Sequence, residues 1–172
     1  MKSADDPAAR PSGAVRDTDD GGMIKPRVRK VLIYCIADDR LLVFRHVDFP
    51  SEEVGLQVPG GSVRPDETEA QAALRELREE TGRDEFEIVR LLGRTDYDIS
   101  PYRSEIQDRA FFQAIPTTPL PQRWTSAEAH DGRAPATLLE FFWIPLRHAH
   151  VLQAGQGERI AALFDRPHAV DD

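Results

Sequence analysis

The chain has a single cysteine, Cys35, among 172 residues. No intrachain disulfide can form, so the fold must rest on its core. Cys35 lies in an apolar run, which marks a small buried residue rather than a reactive thiol. Basic charge is also scarce: 22 Lys and Arg against 30 Asp and Glu leave a formal net charge of −8. That argues against a sequence-independent grip on nucleic-acid backbone, which needs a basic surface. No apolar run is long enough to span a bilayer as a helix. The first residues carry Asp5, Asp6, Asp19 and Asp20 and no apolar core, which is not a signal-peptide pattern. The expectation is a cytoplasmic protein. His130, His148 and His150 have no cysteines at zinc-ligand spacing, and neither a Ser/His/Asp arrangement nor a P-loop is present.

What is present fits a globular chain of one domain, with 40% hydrophobic and 30% charged residues. Residues 1–24 read as a disordered tail of Asp, Ala, Gly, Pro and Arg, with Met23 as an alternative start. The domain is expected over 25–166, with a frayed end at 167–172. Strands are predicted at Val28–Ala37 and Leu41–Arg45, joined by a short turn, then at Gly55–Pro59 and Ser62–Arg64. A loop is expected over His46–Glu53. Further strands are expected at Phe86–Asp96, with a bend at Gly93, at Asp108–Ile115 and at Thr137–Leu146. A loop should cover Tyr97–Glu105. Pro116–Pro135 reads as long and irregular, and Gly157–Phe164 as a final helix.

One stretch organises the rest: PGGSVRPDETEAQAALRELREETGR, Pro59 to Arg83. It reads as a glycine turn, a loop, a helix opening at Glu67 and Thr68, and a glycine stop at Gly82. At about 100° per residue, Ala70, Leu74, Leu77 and Thr81 form a narrow stripe for docking on a core. Glu76, Glu79 and Glu80, spaced by three and four, stand side by side on another face. Each close pair of like charges costs the helix about a few tenths of a kcal/mol. A divalent cation reverses that cost, and Mg²⁺ is the hard ion that prefers oxygen ligands shared with a phosphate. The alternative is a solvated acidic face neutralised by Arg75 and Arg78.

Gly61, then Glu67, then Arg75-Glu76-Leu77-Arg78-Glu79-Glu80-Thr81-Gly82, at these spacings and preceded by Pro59-Gly60, resembles the Nudix box of the Nudix hydrolase family. Arg83 departs from the pattern, which usually has an apolar residue there; this affects packing rather than ligands. The resemblance implies an α+β fold, an α/β/α sandwich with a mixed central β-sheet. It implies Mg²⁺, with Mn²⁺ as a second acceptable ion, and cleavage of a pyrophosphate linkage in a nucleoside diphosphate derivative. Glu76, Glu79, Glu80 and the Gly61 carbonyl would be metal ligands. Glu67 and Arg75 would support the site. Glu79 would be the base that activates water, since Arg75 could hold it, with Glu140 as the runner-up and Glu128 a weaker third.

Arg45, Gln57 and Arg103 are candidates for phosphate or base contacts, and Tyr97, Tyr102 and Trp124 for stacking on a base. The partner is expected to be a small phosphorylated nucleotide: an NTP, a nucleotide sugar, ADP-ribose or a dinucleoside polyphosphate. The family also allows a homodimer. A nucleotide-sensing module on the same fold is the competing reading, and it should show a lost ligand glutamate or an attached DNA-binding helix pair. Neither is visible.

Overall fold

The computed structural model describes residues 24–129 and 134–165. The expected tail, apart from Ile24, and the frayed end at 167–172 lie outside the described residues, as does His130. The strands are β1 (Arg27–Ala37), β2 (Arg40–His46), β3 (Gly60–Ser62), β4 (Phe86–Asp98), β5 (Ile106–Pro116), β6 (Arg123–Glu128) and β7 (Thr137–Pro145). They are ordered β4-β5-β1-β2-β7-β6, with β3 paired to β1. β1 runs parallel to β5, and the other pairs are antiparallel. The sheet is therefore mixed, and the fold is α+β, as expected.

The two faces of the sheet carry two core layers, because successive side chains on a strand point to opposite sides. Val31, Ile33, Cys35, Phe44, Phe112, Leu139 and Phe141 pack on one face against Ala72, Ala73 and Leu77 of helix α2 (Glu69–Thr81). Leu32, Tyr34, Leu41, Val43 and Phe111 occupy the other face with Leu146 and Ala149. Cys35 is fully buried, and burial pushes its thiol up to about 12.

Helix α2 is set by its caps. Thr68 accepts from the Gln71 N–H at 3.2 Å, and the Gln71 side chain returns a bond to the Thr68 N–H at 2.8 Å. Gly82 closes the helix in the left-handed region at φ 70°, and its N–H donates to Arg78 O. The buried face differs from the expected stripe. Ala70 is exposed, whereas Ala72, Ala73, Glu76, Leu77, Glu80 and Thr81 are buried. The helix is rotated so that two glutamates face inward, an orientation that hydrophobicity alone disfavours.

Other differences have local causes. Helix α1 (Ser51–Val54), a single turn, interrupts the expected His46–Glu53 loop. Leu56 and Gln57 form only isolated bridges, to Leu152 and Phe44, so the strand proper begins later, at Gly60. β4 runs on to Asp98 and bulges at Leu91/Gly93. Pro116–Pro135 contains strand β6, which lacks a β-branched run and forms as an edge partner of β7. The expected final helix is a 3₁₀ turn at Ile160–Leu163, with another at Leu146–Val151. The layer opposite α2 is thus made of short turns rather than a long helix. Among the described residues, no helix is long and apolar enough to cross a membrane.

Candidate active site

Gly60 and Gly61 form a wall one backbone thick beside α2. A Cβ at Gly61 would overlap the Glu76 carboxylate, and one at Gly60 would strike the Val31 carbonyl. At Gly60 the neighbour is backbone and glycine is required; at Gly61 the Glu76 carboxylate would have to move aside. Glu80, below them, is fully packed, and its Oε2 accepts from the Gly60 N–H at 3.1 Å. Burial raises the Glu80 carboxyl well above the usual range, and the nearby charges of Glu76 and Glu128 push it the same way. Burial also raises Glu76, against the pull of Arg75 and with a push from Glu79 and Glu128.

Arg75 ties this face together. Its guanidinium donates to Glu67, to Glu76 Oε1 at 2.7 Å, to Glu79 Oε2 at 3.0 Å and to Ser62 O at 2.8 Å. The fork holds Glu67 down to about 2, helped by the Arg64 N–H. Glu79 is more exposed and is also reached by Arg64 Nη2 at 3.3 Å.

The structure brings Glu128, at the end of β6, toward Glu76 and Glu80. It does not bring Glu140 there. Leu139 and Phe141 face α2, so Glu140 between them points to the opposite face. It accepts from Arg45 Nε at 2.5 Å and pairs with Arg123 at 3.0 Å, and the two arginines hold it below the usual carboxylate range. Arg45 is committed to that pair, away from the carboxylates of α2.

As placed, no three acidic, His or Cys side chains among the described residues are gathered closely enough to hold an ion. Glu76 and Glu79 are drawn onto Arg75, and Glu80 onto the Gly60 N–H. The donor set nevertheless fits a hard divalent cation. Glu76, Glu80 and Glu128 are carboxylates that repel one another in a buried site, and an oxygen-seeking ion would relieve that repulsion.

A cleft of about 330 Å³ opens on the other side of the glycine wall. Gln57 and Tyr97, both expected to contact substrate, line it, and so does Tyr102. Arg103 is not in the lining, although its charge acts on Lys30. Sequence reasoning missed Lys30, Gln107, Arg109 and Gln156, which also line it. The available signal was a Lys and an Arg inside otherwise strand-forming runs. Arg109 lies over the Tyr97 ring, 3.8 Å from its centroid, so that face of Tyr97 is taken. Trp124 is also occupied: it stacks on Phe141 at 5.2 Å and carries the Arg83 guanidinium at 5.3 Å. This explains the departure at Arg83, whose cation covers an indole where the family has an apolar residue. A larger cavity, about 610 Å³, lies among the 3₁₀ turns and is lined by Leu146, Leu152, Ile160 and Phe164. It touches neither Gly60 nor Gly61, whereas the smaller cleft is lined by both and so adjoins the carboxylates of α2.

The NUDIX domain model matches residues 26–164. The chain belongs to the Nudix family. Among curated proteins none matches it in sequence. Solved structures share its fold at low identity. A NUDIX hydrolase from Nitrosomonas europaea is 19% identical with a TM-score of 0.61, over 86% of this chain and 97% of that one. A UDP-X diphosphatase is 18% identical with a TM-score of 0.54, over 85% of this chain; the match spans 65% of that protein's length. An ADP-ribose pyrophosphatase from Streptococcus suis is 17% identical with a TM-score of 0.53, over 84% of this chain and 96% of that one.

Proposed function

We propose that this protein is a Mg²⁺-dependent hydrolase of the pyrophosphate linkage in a nucleoside diphosphate derivative. One observation carries the reading: two buried carboxylates, Glu76 and Glu80, stand against a glycine wall whose other side lines a cleft. Their burial costs stability, and a binding role accounts for that cost.

Glu76, Glu80 and the Gly61 carbonyl would hold the ion, with Glu79 at its edge. When bound, Mg²⁺ would screen the pyrophosphate charge and stabilise the charge that develops as the bond breaks. Glu79 is the proposed base. It faces solvent, and Arg75 and Arg64 fix its carboxylate where it can accept a proton from water. Glu67 fixes Arg75 in turn, so the loop before α2 sets the geometry of the working face. Glu128 is the second candidate for the base, and its place near Glu76 and Glu80 favours it over Glu140. The structural neighbours named UDP-X diphosphatase and ADP-ribose pyrophosphatase support a nucleoside diphosphate derivative as the substrate class.

The test is phosphate release from nucleoside triphosphates, ADP-ribose, nucleotide sugars and dinucleoside polyphosphates, with Mg²⁺ or Mn²⁺ and with EDTA. Metal-dependent turnover of one class is expected. Nucleotide binding without turnover of any of them would instead identify a sensor.

A further inference from the structure

Lys30 and Arg109 are direct cross-strand neighbours in the parallel β1–β5 pair. Two like charges side by side on a sheet repel each other. Both line the cleft. Arg109 is 5% exposed and forms no ion pair among the described residues; its donors go to the Gln107 amide oxygen at 2.9 and 3.0 Å and to Ala154 O at 2.5 Å. Lys30, partly buried, makes neither a hydrogen bond nor an ion pair among the described residues. Arg103 adds a third positive charge close enough to act on Lys30. The carboxylates acting on Lys30, Glu105 and Glu76, lie beyond ion-pair distance of its ammonium. In a chain of net charge −8, the cleft therefore brings two cationic side chains together next to Gly60 and Gly61, with Glu105, Glu76 and Glu158 acting on them from beyond ion-pair distance.

We propose that Lys30, backed by Arg109, is an anion-binding and specificity-determining residue of this cleft: it takes a phosphoryl group of the substrate other than the one presented at the carboxylates of α2. The proposal rests on the hydrolase reading for the identity of the substrate, but the anion site stands on the cleft itself. Arg109 is braced by neutral acceptors, while the ammonium of Lys30 is left to meet the ligand.

The test uses the whole protein, with Lys30→Met and Lys30→Arg, and two probes, ADP and inorganic pyrophosphate. Binding is measured by calorimetry in EDTA at several salt concentrations, with a thermal melt to verify folding. The wild type is expected to bind both probes, more weakly as salt rises. Lys30→Met should lose about 10- to 100-fold in affinity, the range for one charged hydrogen bond. Lys30→Arg should recover part of it. On the substrate that the panel selects, Lys30→Met should raise KM more than it lowers kcat. Equal affinity in wild type and a folded Lys30→Met, or no binding of either probe by the wild type, overturns the proposal. Binding that depends on Lys30 in a protein that hydrolyses nothing would sink the hydrolase reading and leave the anion site standing. Hydrolysis with an unchanged KM in Lys30→Met would do the reverse.

Discussion

The Arg75 guanidinium grips the Glu67 carboxylate with two parallel hydrogen bonds, Nε to Oε2 at 3.0 Å and Nη2 to Oε1 at 2.6 Å. This fork joins the loop before α2 to the helix, and the remaining donors of Arg75 are aimed at Glu76, Glu79 and the Ser62 carbonyl. A point charge cannot reproduce it. Arg75→Lys should keep the fold and lower turnover about 10- to 100-fold, as expected for a residue that orients others. Steady-state kinetics alongside a urea melt would verify it.

The same pair gives a pH signature. Glu67 is held at about 2 in the folded protein, against an ordinary value of 4.5. A depressed carboxyl contributes stability that is present above the unfolded value and is lost as pH falls through the folded one. The urea midpoint of the wild type should exceed that of Glu67→Gln at pH 7. The gap should narrow below about pH 4.5 and close near pH 2. A gap that stays constant from pH 7 to pH 3 would show that the pair owes little to charge.

Glu80→Gln separates stability from function. Glutamine still offers an oxygen to the Gly60 N–H but removes a buried charge that Glu76 and Glu128 oppose. Without metal, the variant should melt at the same temperature as the wild type or higher. Mg²⁺ should raise the melting temperature of the wild type and not of the variant. Turnover should fall by roughly 10²- to 10⁴-fold.

Gly61→Ala tests the close approach at the wall. The new Cβ would displace the Glu76 carboxylate, while Gly61 is held in its strand by pairing with Val31. Metal-dependent activity should be lost, and the Mg²⁺-induced rise in melting temperature with it. An active Gly61→Ala protein would remove Glu76 from the ligand set.

Trp124→Phe addresses the anchoring of the helix end. The Trp124 Nε1 donates to Thr81 O at 2.9 Å, in the last turn of α2. Phenylalanine keeps the stacking on Phe141 and the cover of Arg83 but loses that bond. The variant should be about 1 kcal/mol less stable in a denaturant melt, the typical net worth of a hydrogen bond. Its effect on turnover should be small, because Trp124 lines neither the cleft nor the carboxylate face.

The helix from Thr68 to Gly82 was legible in the sequence because capping chemistry and helical period act between near neighbours, and the Nudix-box resemblance implied the supporting roles of Glu67 and Arg75. Strand β6 was not legible, because its pairing with β7 depends on an edge that exists only once β7 is in the sheet. The tertiary structure alone decided which face of α2 is buried and turned Glu76 and Glu80 inward. It set Glu140 between Arg45 and Arg123 on the far face, and it placed Lys30 beside Arg109 across strands 79 residues apart. Those relationships are made by strand register and sheet order, in which one step of alternation moves a side chain from one face to the other.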